Sequence, residues 1–316
     1  MTMTNSNRIV TVFGGGGFIG MPVCEALLKQ GVRLRVAQRH PKRAHDLQPL
    51  GGVGQVMLMA ADITRPDTVA RAVEGADAVI NLVGTFDGNL DAIHVTGAKN
   101  IAEAAKKAGA SSLVHLSAIG VDEESESHYS RTKALGEQAV RKAYKGATII
   151  KPSVVFGAND DFTNRFASLA RFPMLPVLKP ETKFQPVWVR DLALAIAGAA
   201  LDPKTHGGKS YEVGGPEVLT MHELNRKIAD MAGLSPAIVD LPDAAGSLMS
   251  KFGFLPGAPI TRDQWIMLQS DNVAANNKWV KAFGVDPSKL ETIAPRWLGR
   301  FTPGGRFAHR RSSENA

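Results

Sequence analysis

One cysteine, Cys24, stands in a chain of 316 residues. No internal disulfide can form, which is the usage of a reducing compartment. Long apolar runs are missing as well. The longest, Leu192 to Leu201, is about half of the roughly 20 residues that a membrane-spanning helix needs. The stretch Met1 to Arg8 is polar and carries no apolar signal core, so neither a membrane span nor secretion is expected. The expected location is cytoplasmic, or a matrix-like reducing compartment. The eight histidines form no pair at metal-ligand spacing, and Cys24 reads as a small core residue, so no metal is expected. Aromatic residues make up only 6% of the chain.

What is present is an ordinary globular composition. The hydrophobic share is 44%, which excludes disorder as the main state, and the length suggests about two domains. The net charge is +7, but it is unevenly placed: Arg296 to Ala316 holds five arginines against one glutamate. The excess sits in a Gly- and Pro-containing tail rather than along a folded face, so no nucleic acid is expected as a partner.

Along the first half, short β-branched runs alternate with helical patterns, the sign of parallel βαβ units. Strands are predicted at Arg8–Phe13, Arg33–Gln38, Gln55–Ala60, Ala78–Leu82, Ser112–Leu116 and Ala147–Lys151. Helices are clearest at Phe18–Gln30, His94–Ala108 and Tyr129–Tyr144. The fold class is therefore α/β, a doubly wound parallel sheet over residues 1–151. Residues 152–316 form a smaller lobe and a basic tail, with helices expected at Phe162–Arg171, Asp191–Leu201 and Met221–Ala232. A strand at Phe184–Val189 is expected to lead the chain back to the first domain over about 184–201, with Asp191 as an N-cap.

Gly14-Gly15-Gly16-Gly17-Phe18-Ile19-Gly20 follows the first strand directly and opens an amphipathic helix. In that context glycines at 14, 17 and 20 read as a dinucleotide turn. Gly14 makes the bend, Gly17 lets backbone N–H groups approach a pyrophosphate at the helix N-terminus, and Gly20 lets helix and sheet pack closely. An acidic residue at the end of the second strand would select NAD(H) through the ribose hydroxyls. Here the chain reads Gln38-Arg39-His40-Pro41-Lys42-Arg43, and Arg39 with its basic neighbours suits a 2′-phosphate instead. NADP(H) is preferred over NAD(H), against the alternative of a solvated basic segment. Asp62 after the third strand, and Asn81, Val83 and Gly84 at the end of the fourth, lie where such a ligand's crevice forms. A turn role for Asp62 competes evenly.

Tyr129 and Lys133 are four apart on a predicted helix and so share a face. A nearby ammonium and a bound nicotinamide cation would lower the phenol's pKa and let it exchange a proton with a substrate oxygen, and Lys133 could also hold the nicotinamide ribose hydroxyls. Ser117, after the fifth strand, is the candidate partner for a substrate carbonyl, with a plain strand-end hydrogen bond as the alternative.

The glycine turn together with Tyr129-x-x-x-Lys133 resembles the short-chain dehydrogenase/reductase superfamily, extended type. More narrowly, the chain is similar to its atypical branch, which contains the nucleotide-binding accessory subunit of respiratory complex I and its bacterial relatives. The segments carrying that match are Val79–Gly84, Tyr129–Glu137, Ile150–Asp161, Phe166-Ala167-Ser168 and Pro259–Asp263. The resemblance implies a Rossmann fold, a bound NADPH held for structure, a cofactor contact at Pro152, and a place beside respiratory-chain subunits or quinone-pathway proteins. It departs from the active members in one place: Ala118 follows Ser117 where a second serine is common. Two functions stay open, an accessory factor and an active NADP-dependent oxidoreductase or epimerase on a small hydroxy or keto substrate.

Leu241 to Leu255 places Leu248, Met249, Phe252 and Leu255 at helical spacing, read as a lid in preference to a surface-seeking helix. The tail, with Trp297, Phe301 and Phe307 among its arginines, is the candidate for a peripheral anionic membrane surface, with a solvated terminus as the competing reading.

Overall fold

A computed structural model describes residues 8–253 and 260–302. The chain divides into two compact units: the first takes Met1–Pro152, Val189–Val213 and Asn276–Asp286, and the second takes the rest. The first is built on one sheet whose strands are β1 (Ile9–Phe13), β2 (Arg33–Gln38), β3 (Val56–Ala60), β4 (Ala78–Asn81), β5 (Ser112–Leu116), β6 (Thr148–Pro152) and an edge strand Ser210–Val213. Their order is β3-β2-β1-β4-β5-β6 followed by the edge strand, and every pairing is parallel. Parallel strands are covered on both faces, which is why β4 and β5 are buried at every residue and read as near-continuous apolar runs. The strand order reverses between β1 and β4, and the crevice at that point is the ligand position of a doubly wound sheet.

Helices α1 (Gly20–Lys29), α2 (Pro66–Val73), α3 (Ala98–Lys107) and α4 (His128–Ala143) pack against this sheet. In α3 the buried residues are Ala98, Ile101, Ala102 and Ala105, the spacing of one helical face. Ser127 caps α4, its hydroxyl accepting from the Ser130 N–H at 3.2 Å. The apolar run Leu192–Leu201 lies in a helix, Val189–Leu201, that buries nine of its residues in the first unit. Among the described residues no helix is long and apolar enough to cross a membrane.

Several elements differ from the sequence expectation. The helix predicted from His94 begins earlier, as a π-helical segment Asp91–Gly97, because the wider turn brings His94 inward. Residues Pro41–Leu50 form a 3₁₀ helix and Ser210–Val213 adds a seventh strand, neither of which carries a strong local pattern. The predicted strand Phe184–Val189 is broken into Lys183–Phe184 and Val187–Trp188, since Pro186 has no N–H to give a ladder. Asp191 sits buried in the first turn of its helix and is not the N-cap.

In the second unit, the helices Asp161–Leu169 and Met221–Met231 enclose a core with Phe156, Leu224, Ile228, Trp297 and Leu298. Trp297 is therefore core and not a membrane-wetting ring, because its indole completes that apolar cluster; Phe301 packs against the same cluster, with the Arg300 guanidinium 5.0 Å from its ring centre. The lobe helix runs over Asp243–Lys251, with Leu248 and Phe252 exposed. Leu255 and Pro259, and Arg306, Phe307, Arg310 and Arg311 of the tail, lie outside the described residues.

Candidate functional site

The turn between β1 and α1 needs its glycines for distinct reasons. Gly14 has φ +81°, a left-handed conformation that glycine adopts without strain, and its N–H donates to the Ala37 carbonyl at 3.2 Å. A Cβ on Gly20 would stand 2.2 Å from the Gly14 carbonyl oxygen, so the first turn of α1 can lie on β1 only with glycine there. Gly17 is exposed, and a Cβ on it would meet only the Gly14 oxygen at 3.3 Å, which leaves its backbone open to a ligand. Phe18 and Ile19 are half-buried and lead into α1. One participant escaped the sequence reading: Gln38, whose Oε1 accepts from the Gly16 N–H at 3.0 Å and whose Nε2 donates to the His40 carbonyl at 2.8 Å. Its position at the end of β2, where an acid is usual, was the available signal.

Arg39, Lys42 and Arg43 are exposed just beyond β2, and among the described residues none of them is in an ion pair. Asp62 serves its own turn, with Oδ1 accepting from the Thr64 N–H at 2.9 Å and the Thr64 hydroxyl at 2.8 Å. Those bonds, with a smaller contribution from the Arg39 charge, hold its carboxyl below the usual range.

At the end of β4, Asn81 is buried and turned inward. Its amide nitrogen meets His115 Nδ1 at 3.1 Å and its oxygen accepts from the Val83 N–H at 3.1 Å. It therefore positions Val83. Gly84 is exposed, and a Cβ there would lie 3.9 Å from His94 Nε2 and 4.0 Å from Lys133 Nζ. Pro152 is buried at the end of β6, its carbonyl accepting from the Ile119 N–H at 3.1 Å.

Tyr129 and Lys133 do share a face of α4, and in the chain by itself burial governs the electrostatics of both. Burial pushes the Tyr129 phenol up to about 12, and burial pulls the Lys133 ammonium down to about 8. Lys133 Nζ donates to the Leu116 carbonyl at 2.6 Å, and no lowering of the phenol by the ammonium results. Phe86 stacks on Tyr129 with ring centres 4.2 Å apart and planes at 18°, while His94 meets the same ring edge-on at 5.4 Å. Ser117 is buried with its hydroxyl unpartnered. Phe86, His94, His115 and Thr132 all escaped the sequence reading; only their proximity in the fold marks them.

His94 is 2% exposed. Its Nε2 accepts from the Thr85 N–H at 3.2 Å and its Nδ1 meets the Thr132 hydroxyl at 2.9 Å. Since Thr132 Oγ1 in turn donates to the His128 carbonyl, the Nδ1–H tautomer satisfies the whole chain. Burial, followed by the Lys133 charge, lowers the ring to about 4; His115 is likewise held well below its usual value by burial. Unfolded, the His94 imidazole would take up its proton near 6.5, so between pH 6.5 and about 4 the unfolded state binds more protons and stability falls with the pH. Denaturant unfolding at pH 7 and 4.5 should show a loss of on the order of 2 kcal/mol from this group, and His94→Gln should lack that increment. An identical pH dependence in His94→Gln would show that the ring is not held neutral.

These residues fit a dinucleotide. The Gly14–Gly20 turn could hold a pyrophosphate on its open backbone, Arg39 and its neighbours could meet a 2′-phosphate, and Lys133 and the unpartnered Ser117 hydroxyl are further polar groups that a bound nucleotide or substrate could use.

The comparisons point the same way. A family described as NAD(P)H-binding matches residues 14–165. The NADH dehydrogenase (ubiquinone) 1 alpha subcomplex subunit 9 of Arabidopsis thaliana is 32% identical over 95% of this chain and 79% of its own length. That of Dictyostelium discoideum is 34% identical over 70% of this chain, which spans 63% of that relative's length. An NADPH-dependent quinone oxidoreductase from Escherichia coli, solved with NADPH, has a TM-score of 0.75 at 17% identity and covers 92% of this chain and 99% of its own. That likeness is one of fold.

Proposed function

This chain belongs to the family of the NADH dehydrogenase (ubiquinone) 1 alpha subcomplex subunit 9, and on that premise we propose that it is an NADPH-holding accessory protein. Its setting is a respiratory NADH dehydrogenase or quinone metabolism, and its nucleotide is kept rather than turned over. The observation that carries this reading is the 32% identity to that subunit over 95% of this chain; the resting state of Tyr129 and Lys133 is compatible with it. Tyr129 is covered by Phe86 with its phenol at about 12, and Lys133 is committed to the Leu116 carbonyl. A phenol at that value is a poor base at neutral pH. Bound NADPH would supply a hydride, and a phenol held protonated by burial could give a proton at neutral pH but not take one up. The basic cluster at Arg39 supports NADPH over NADH. A peripheral location, on a membrane-bound assembly, fits a chain in which no described helix can span a bilayer.

One observation favours a second reading, an NADP-dependent oxidoreductase or epimerase acting on a small hydroxy or keto substrate. The buried Ser117 hydroxyl has no partner, and it would be free to meet a substrate carbonyl, with Tyr129 and Lys133 completing the site. The two readings separate in one experiment. The purified chain is assayed for bound nucleotide by mass spectrometry and for nicotinamide oxidation with a ubiquinone analogue and a panel of small ketones, alongside Tyr129→Phe. The accessory reading expects bound NADPH in both chains and no multiple turnover. Sustained turnover that Tyr129→Phe largely removes would overturn it in favour of the enzyme.

A further inference from the structure

The outer faces of α3 and α4 form a groove of about 850 Å³ whose lining includes Lys99, Lys106, Lys107 and Lys142 over the small residues Ala139 and Ala143. Glu103 is the one acid in it, and it is already engaged by Lys99 at 3.7 Å. Among the described residues no carboxylate pairs with Lys106, Lys107 or Lys142. Among the described residues of the rest of the first unit, paired and unpaired cations are mixed, Arg39, Lys42 and Arg43 also being in no ion pair. Lys29, Arg71, Arg141, Lys151 and Arg190 each have an acid within 4.0 Å. Helix C-termini favour cations, which accounts for lysines in the last turns of α3 and α4. It does not account for gathering the three unpaired charges along one concave strip, where Lys99 already has Glu103.

From this geometry we propose that the α3/α4 groove docks an acidic helical segment of a different protein. Three unpaired ammonium groups in one groove repel each other, and a partner's carboxylates relieve that repulsion while excluding a second copy of this chain, whose own groove would bring like charge. The floor of Ala139 and Ala143 allows close approach of a backbone. A concave strip suits a segment better than a flat lipid surface. In a parallel sheet the covering helices run back against the strands, so their last turns lie at the end opposite the nucleotide turn. Docking there leaves the nucleotide site open. The inference rests on the accessory reading for its expectation of a partner, and on the groove for the partner's chemistry.

The test uses the full chain loaded with NADPH and a fluorescent alanine-based helical peptide carrying glutamate at every third or fourth position. Binding is followed by anisotropy at low salt. The variant Lys106→Gln/Lys107→Gln/Lys142→Gln should weaken binding roughly ten-fold, from three exposed ion pairs, while NADPH affinity stays at the parent value. Arg306→Gln/Arg310→Gln/Arg311→Gln should keep the peptide. Equal peptide binding by the groove variant, or loss only in the tail variant, overturns the proposal. So does loss of sedimentation with phosphatidylserine vesicles in the groove variant when peptide binding is intact, or self-crosslinking through Ala139→Cys. A parent chain that binds no NADPH sinks the nucleotide reading, whereas the peptide result still reports on the groove alone.

Discussion

Gly136→Ala is expected to cost on the order of 3 kcal/mol or more in unfolding free energy, one of the largest losses available from a single methyl group. A Cβ at Gly136 would stand 2.0 Å from the His94 carbonyl oxygen and 2.9 Å from its carbon. Both are backbone atoms, so no flexible side chain can move aside; α4 and the π-helical segment Asp91–Gly97 must part. Their separation would draw the His94 ring off Thr132 and off the edge of Tyr129, which lies two turns earlier on α4. The variant should therefore lose both stability and the acid-range stability loss traced to His94. Chemical denaturation at pH 7 gives the first number directly. A change below about 0.5 kcal/mol, the range of an ordinary surface substitution, would mean that the two helices are not held at the observed approach.

Arg39→Asp should change the cofactor rather than the fold. Arg39 is exposed and in no ion pair among the described residues, so its replacement breaks no ion pair there, and its one internal effect is to remove the charge that helps hold the Asp62 carboxyl low. A charge-assisted bond to a 2′-phosphate contributes about 1.5–3 kcal/mol, and an aspartate there would put a carboxylate beside that phosphate. NADPH affinity should fall by roughly ten- to a hundred-fold, while NADH, whose ribose hydroxyls a carboxylate can accept from, should hold or gain. Titration calorimetry of parent and variant with both nucleotides measures this. Equal affinities for NADPH and NADH in the parent would remove Arg39 from the site. Lys42 and Arg43 remain in the variant, so a residual NADPH preference reports their share.

The alternation of strand and helix was legible in the sequence because each element carries its own pattern. β4 and β5 are buried throughout and mostly apolar since both faces are covered, and α3 repeats its buried residues at helical spacing. The glycine turn was legible for the same reason: strand, turn and helix are contiguous, so Gly14, Gly17 and Gly20 could be given roles from order alone, and the contacts of Gly14 and Gly20 match those roles. The shared face of Tyr129 and Lys133 follows from helical geometry once α4 exists. None of this needs a distant contact.

Everything that sets the chemistry does need one. Lys133 finds the Leu116 carbonyl across 17 positions, and Asn81 meets His115 across 34. His94 reaches Thr132 across 38, and the π-helical turn that aims it depends on the close approach at Gly136. Burial moves the phenol up and the ammonium down, which spacing along the chain cannot report. The strand Ser210–Val213 has too little apolar pattern to announce itself and exists because β6 has a free edge to pair. Trp297, grouped by sequence with the basic tail, is drawn into the second core by Phe156 and the apolar residues around it. Sequence thus determined the local elements and the nucleotide turn, where neighbours along the chain supply the forces. Tertiary structure decided protonation, access and burial, because those depend on the dielectric and the partners that distant segments bring together.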